Sequence, residues 1–226
     1  MLEKTSKKNT HMEIKEYSPV GNEVAQGGHT LVVGISINNS YFKTENLEKL
    51  IAWASIRAKS VYIMIPDEPA VYTLMALGKT REESERVARL KSNALENKCK
   101  HIAQRRGLLA VKVIRWKDII PNERYQNALL RIRDAYDSDP AFTEAILSAT
   151  SAVLKNGGTT EPDSGAIKIG IEFLFQELAF ITQANLVLGE GKTAYVYHKT
   201  MEVLRGIVEG EHAFKSDPCV GFITVE

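Results

Sequence analysis

From Leu31 onward the chain alternates short apolar runs with longer stretches in which apolar residues recur every three or four positions. The short runs, Leu31 to Ile35, Val61 to Ile65 and Leu108 to Ile114, are rich in β-branched residues and predict strands with little exposed face. Pro66 stops the second of them. Ala194 to Tyr197 and Gly221 to Val225 repeat the pattern in shorter form. Between the runs, Leu47, Leu50, Ile51 and Ala54 carry a helical stripe that predicts a helix over 44–58, and Pro69 to Ala76 reads as a short helix. Thr80 is placed to cap a long helix reaching Gln104, with Glu82 and Glu83 favourably set in its first turn. Trp116 to Leu154 is helical in pattern, with a break at Asp139 and Pro140. After a loop from Asn156 to Gly165, the stripe Ile171, Leu174, Leu178, Ile181 predicts a helix over 167–183. Strands alternating with helices predict an α/β fold with a mostly parallel, doubly wound sheet. Residues 1–28 are polar and end on Gly27 and Gly28, which predicts a flexible N-terminal arm ahead of one domain at 29–226.

Composition narrows the partners only slightly. Lys plus Arg (29) nearly cancels Asp plus Glu (28), so any nucleic-acid surface must be local. The long helix offers one: it carries Arg86, Arg89, Lys91, Lys98, Lys100 and Arg105, and Lys91, Lys98 and Arg105 recur at sevens, nearly on one face. Glu82, Glu83, Glu85 and Glu96 dilute that patch, and a solvated charged helix is its plain explanation. No apolar run is long enough for a bilayer and the first residues lack the apolar core of a signal peptide, so a cytoplasmic protein is expected. Cys99 and Cys219 are the two cysteines and have no metal-ligand spacing, nor do the five histidines, so reduced thiols and no metal are expected.

Ser36 follows the first buried strand, at the carboxyl end where open α/β sheets bind their ligands. It lacks a GxSxG elbow, since the residues run Gly34, Ile35, Ser36, Ile37, Asn38, and a lone strand-end serine is more often structural. Glu177 shares a helix face with Phe173 and Phe180, and by position alone would turn to solvent. Asn39 reads as a turn residue, and Tyr197 with His198 as the end of an edge strand.

Taken together, the string GISINNSYF, the run Ile51 to Ala54, the basic helix, the late-helix Glu177 and the pair Tyr197–His198 resemble the cyclodipeptide synthases, enzymes that condense two aminoacyl-tRNAs into a diketopiperazine. The resemblance runs from Thr30 to the C-terminus. It implies a Rossmann-like, mostly parallel sheet flanked by helices, similar to the catalytic domain of class I tyrosyl- and tryptophanyl-tRNA synthetases. It implies that Ser36 accepts the acyl group, that Glu177 holds the substrate ammonium and moves protons, and that Tyr197 positions the aminoacyl group and relays a proton. Asn39, Tyr197 and His198 match the signature of one subgroup, with His198 orienting the site more than acting as its base. Val32, Gly34, Phe180 and Tyr195 would line the first aminoacyl pocket, completed by Tyr62 or Met64, and the basic helix would meet the tRNA acceptor arm. Neither ATP nor metal is expected, because an aminoacyl ester is already activated, and no P-loop, HIGH-like or KMSKS-like signature is present. The departure is Phe173, where the family commonly has a tyrosine that bonds the substrate amine. Hydroxyls of Tyr195 and Tyr62 left unpaired in a dry pocket would favour a polar or ring-bearing first residue such as histidine or tyrosine. Two other classes fit parts of the pattern: a non-catalytic tRNA-binding module on a synthetase-like fold, and a serine esterase.

Overall fold

In the computed structural model of the chain, residues 12–226 are described. Six strands, β1 (Ile14–Tyr17), β2 (Thr30–Gly34), β3 (Ser60–Ile65), β4 (Val111–Arg115), β5 (Thr193–Tyr197) and β6 (Val220–Val225), form one sheet in the order β1-β6-β5-β2-β3-β4. All neighbours are parallel except β1, which runs antiparallel to β6. The nine helices of the described residues are α1 (Pro19–Ala25), α2 (Thr44–Ser55), α3 (Pro69–Ala76), α4 (Arg81–Arg105), α5 (Glu123–Ser138), α6 (Pro140–Asn156), α7 (Ser164–Ile181), α8 (Ala184–Leu188) and α9 (Glu202–Glu209).

Strand alternation divides the core in two. Leu31, Val33, Val61, Ile63, Ile65, Ala194, Val196 and Ile223 pack with α1, α2 and α4 on one face. Val32, Tyr62, Met64, Tyr195 and Phe222 pack with α5, α6, α7 and α9 on the other. Helices on both faces explain why the central strands read as continuous apolar runs.

Local signals set most boundaries. Thr80 and Glu83 form a reciprocal capping box at the start of α4. Asp139 caps α6 with Pro140 at its first position, so the predicted break is a sharp corner between two helices. The predicted helix starts later than Trp116, because a short 3-10 turn and Pro121 intervene before Asn122 caps α5. The Asn156 to Gly165 loop is shorter than its composition suggests, since Asp163 caps α7 at Ser164.

The N-terminal expectation needs correcting over 12–28; residues 1–11 lie outside the described ones. β1 is an edge strand whose Ile14 and Tyr17 pair with Val225 and Ile223. α1 lies so close to β6 that a Cβ on Gly21 would stand 2.1 Å from the Phe222 carbonyl oxygen. The Ser18 hydroxyl oxygen accepts from the N–H groups of both Gly21 (3.1 Å) and Phe222 (3.0 Å), fastening helix to strand. Gly27 and Gly28, at φ of 111° and 81°, form the turn that feeds β2. A four-residue strand with alternate residues exposed gives too weak a pattern to read from sequence.

Candidate active site

β2 leads through α2 to β3 on one side, while β5 arrives on its other side after the long excursion through α5 to α8. The strand order therefore reverses between β2 and β5, and their carboxyl ends open the crevice where α/β sheets place ligands. Ser36 and Asn39 follow β2, and Tyr197 and His198 end β5, so four residues from two distant segments meet there.

Asn39 sets the geometry. It caps a single 3-10 turn, Ser40–Phe42, its Oδ1 accepting from the Tyr41 N–H at 2.9 Å. That bond fixes the amide, so its Nδ2 faces His198 Nε2 at 3.0 Å and donates to it. The imidazole proton then belongs on Nδ1, which is buried and has no partner among the described residues. Burial, with Lys199 adding, lowers the His198 pKa to about 4, so the ring is neutral near pH 7. An aromatic wall holds it: Tyr41 stacks on it at 4.2 Å, and Phe42 and Tyr197 meet it edge-on at 5.2 and 4.4 Å. Tyr41 and Phe42 are site residues to which the sequence pattern assigns no role, although they close the GISINNSYF string.

Ser36 is half-buried. The Tyr197 hydroxyl is turned toward the side chains of Ser36 and Asn39, which favour its ionised form, but burial and the Glu177 carboxylate outweigh them and raise its pKa well above the usual tyrosine value. Glu177 is partly buried on α7, and desolvation of its carboxyl raises its pKa to about 7 against the pull of a hydrogen bond from Tyr195. The carboxylate turns to the Tyr195 hydroxyl on β5, 3.2 Å away, and not to open solvent as its position alone suggests. A carboxyl of that pKa can both hold and release a proton near neutrality.

The expected pocket residues Val32, Gly34, Met64, Phe180 and Tyr195 are all buried on the face covered by α7. Met64 pairs with Gly34 across the sheet, whereas Tyr62 pairs with Val32 nearer the amino end. Tyr62 is not brought to the group around Ser36: its hydroxyl donates to Glu190 at 2.8 Å and accepts from Lys112 at 3.2 Å. The Tyr195 hydroxyl donates to Glu177 at 3.2 Å. Neither hydroxyl is unpaired, so the argument for a polar or ring-bearing first residue loses its premise.

The basic helix divides into two flanks. Lys91 donates to Asn38 Oδ1 at 2.6 Å in the loop behind Ser36, and Arg105 pairs with Glu48 of α2 at 2.8 Å, with Lys98 between them on that side. Lys100 pairs with Glu96 at 2.6 Å, while Arg86 and Arg89 are exposed without ion pairs among the described residues. The residues that recur at sevens thus border α2 and the loop that carries Ser36.

Comparison with known proteins points the same way. The chain is 24% identical over 228 residues to a cyclo(L-leucyl-L-leucyl) synthase of Bacillus subtilis (strain 168), covering 98% of this chain and 92% of that protein. It is 21% identical to a cyclo(L-leucyl-L-phenylalanyl) synthase of Streptomyces noursei, covering 89% and 86%. Its fold superposes on a cyclodipeptide synthase from Bacillus thermoamylovorans with a TM-score of 0.87 at 19% identity, over 96% and 95% of the two chains. A tyrosyl-tRNA synthetase from Archaeoglobus fulgidus matches at a TM-score of 0.55 and 12% identity, over 90% of this chain and 56% of that one. The model of the family described as cyclodipeptide synthase matches residues 12–226, taking in β1 and α1 as well as the crevice, and the chain belongs to that family of enzymes.

Proposed function

We propose that this enzyme makes a cyclic dipeptide from two aminoacyl-tRNAs through an aminoacyl-serine intermediate. The observation that supports it most is the convergence of Ser36, Asn39, Tyr197 and His198 on the switch-point crevice, with Glu177 hydrogen-bonded to Tyr195. The Ser36 oxygen attacks the ester carbonyl of the first aminoacyl-tRNA, the tRNA hydroxyl leaves with the proton, and an aminoacyl-serine ester remains. The amine of that group attacks the ester of a second aminoacyl-tRNA, which gives a dipeptidyl-serine and frees the second tRNA. Attack of the terminal amine on the serine ester closes the six-membered ring and restores Ser36.

Each step moves a proton from an amine or hydroxyl to a leaving oxygen, and Glu177, with its pKa near 7, is the group suited to carry it. Tyr197 relays from its place beside Ser36. His198 orients: its acceptor nitrogen is already occupied by the Asn39 amide, so it holds the loop instead of taking the serine proton. The same bond weighs against the serine-esterase alternative, which needs a free imidazole acceptor at the serine. Because both substrates are activated esters, neither ATP nor a metal is called for. Lys91, Lys98, Arg86 and Arg89 would contact tRNA phosphates, and charged tRNA places the enzyme in the cytoplasm.

The test is to incubate the protein with radiolabelled aminoacyl-tRNA, trap the enzyme in acid, and compare wild type with Ser36→Ala. Label should stay on the wild type alone, and the variant should lose cyclic dipeptide by at least about a thousandfold while its melting temperature is unchanged. Full product from the alanine variant would sink the mechanism.

A further inference from the structure

We infer that Tyr195, from strand β5, is the positioning residue of Glu177 and gives it the hydroxyl partner that Phe173, one turn earlier on α7, does not offer. The inference rests on the proposed function for its catalytic meaning, but its geometry stands alone. Phe173 lies one helical turn before Glu177 on the same face of α7 and is partly buried, and its side chain has no donor to offer the carboxylate. Tyr195 comes from the opposite wall. Its ring leans toward the carboxyl end of the sheet and over Gly34, so far that a Cβ on Gly34 would stand 1.9 Å from the hydroxyl oxygen and 2.3 Å from Cζ.

Only glycine at the end of β2 leaves room for the phenol, and the phenol placed there donates to Glu177 Oε1 at 3.2 Å. No ion pair reaches Glu177 among the described residues, and that bond is its one side-chain hydrogen bond there. A carboxylate held by a single donor takes its orientation from that donor. Tyr195 is itself fixed by burial and by stacking with Tyr197, whose ring lies 6.2 Å away at 21°.

The titratable groups acting on Glu177 are the two phenols of β5, Tyr195 and Tyr197. From the helices packed against α7, Tyr125 of α5 is bonded by Trp116, Arg133 of α5 pairs with Glu172, and Tyr136 of α5 packs edge-on to Phe175. Tyr72 is the titratable group of α3, and Glu144 and Lys155 of α6 are exposed. Removing the Tyr195 hydroxyl therefore removes the one contact that favours the Glu177 carboxylate, and its titration midpoint must rise.

The experiment compares wild type, Tyr195→Phe, and Tyr195→Phe combined with Phe173→Tyr. Carbon-13 NMR of labelled glutamate side chains reads the Glu177 midpoint, assigned by its loss in Glu177→Gln, and steady-state kinetics reads turnover against pH. In Tyr195→Phe the midpoint should move to higher pH, the acid limb of the profile should move with it, and kcat should fall about tenfold or more with KM little changed. Phe173→Tyr should restore part of each. A midpoint and profile that stay in place in Tyr195→Phe would overturn the inference, even if kcat falls, because the loss would then be one of packing. If wild type makes no cyclic dipeptide from any charged tRNA, the proposed function fails instead, and the titration still decides whether Tyr195 holds Glu177.

Discussion

Two groups of polar side chains, buried or partly buried, sit at the carboxyl end of the same sheet and are built in opposite ways. Beyond β3 and β4, Arg115 donates from Nε to Asp67 at 2.8 Å and from Nη1 to Glu96 at 2.7 Å and Asn93 at 2.9 Å. The second Asp67 oxygen accepts from the Trp116 N–H at 2.8 Å, so the pair is saturated and ties β4 to α4. Beyond β2 and β5, Glu177 has one hydrogen bond and no cation, and the His198 Nδ1 has no partner among the described residues. Saturation makes the first group structural. The second holds unspent hydrogen-bonding capacity in a partly desolvated place, which costs stability and leaves groups ready for a substrate.

The largest effect should come from breaking the saturated group. Arg115→Ala leaves the Asp67 carboxylate, 8% exposed, without its counter-charge, and should lower unfolding stability by about 3–5 kcal/mol in urea titration. A loss below about 1 kcal/mol would erase the contrast between the two ends. Glu177→Gln tests the other side and should act with the opposite sign. Well below pH 4.5 the carboxyl is protonated whether folded or unfolded. As pH rises from 4.5 to about 7, the unfolded chain ionises first and folded stability falls, by on the order of 3 kcal/mol in all. The amide avoids that loss, so the variant should match wild type near pH 4 and be more stable at pH 8, while cyclic dipeptide formation disappears. Equal stability of the two proteins at pH 8 would mean that Glu177 is not held in a dry site.

A smaller effect extends the comparison to the surface. Lys91 and Lys98 lie on the flank of α4 that borders the Ser36 loop, and replacing both by alanine should weaken tRNA binding and flatten its log–log salt dependence by about one to two. Arg105 belongs to the same flank but is engaged by Glu48, so adding Arg105→Ala should change the slope less than either lysine. A slope that does not move would make the flank an ordinary solvated face.

The crevice is only partly legible in the sequence. The string around Ser36 and the late helix point to Ser36, Asn39, Glu177, Tyr197 and His198, yet periodicity alone turns Glu177 to solvent and leaves Asn39 as a turn residue. Each of those local readings lacks a partner in space. Asn39 does cap a turn, and it is that cap which aims its amide at His198, 159 residues away. For Tyr62 and Tyr195 the sequence presents two tyrosines on buried strands, with nothing to say which way each hydroxyl points. Tyr62 finds Glu190, 128 residues on, and Tyr195 finds Glu177.

The sequence by itself determined the succession of strands and helices from β2 to α7, because period, caps and breakers act within a few residues: Thr80 with Glu83, Asp139 with Pro140, and Pro66 each place a boundary locally. The tertiary structure decided the strand order that sets β5 beside β2, the edge pairing of β1, and the partner of every buried polar group. Those depend on register and on side-chain direction between segments far apart in the chain, and a local pattern carries neither. Gly34 joins the two levels: in sequence it is a small residue ending a strand, and in the fold it is the space a phenol needs to reach Glu177.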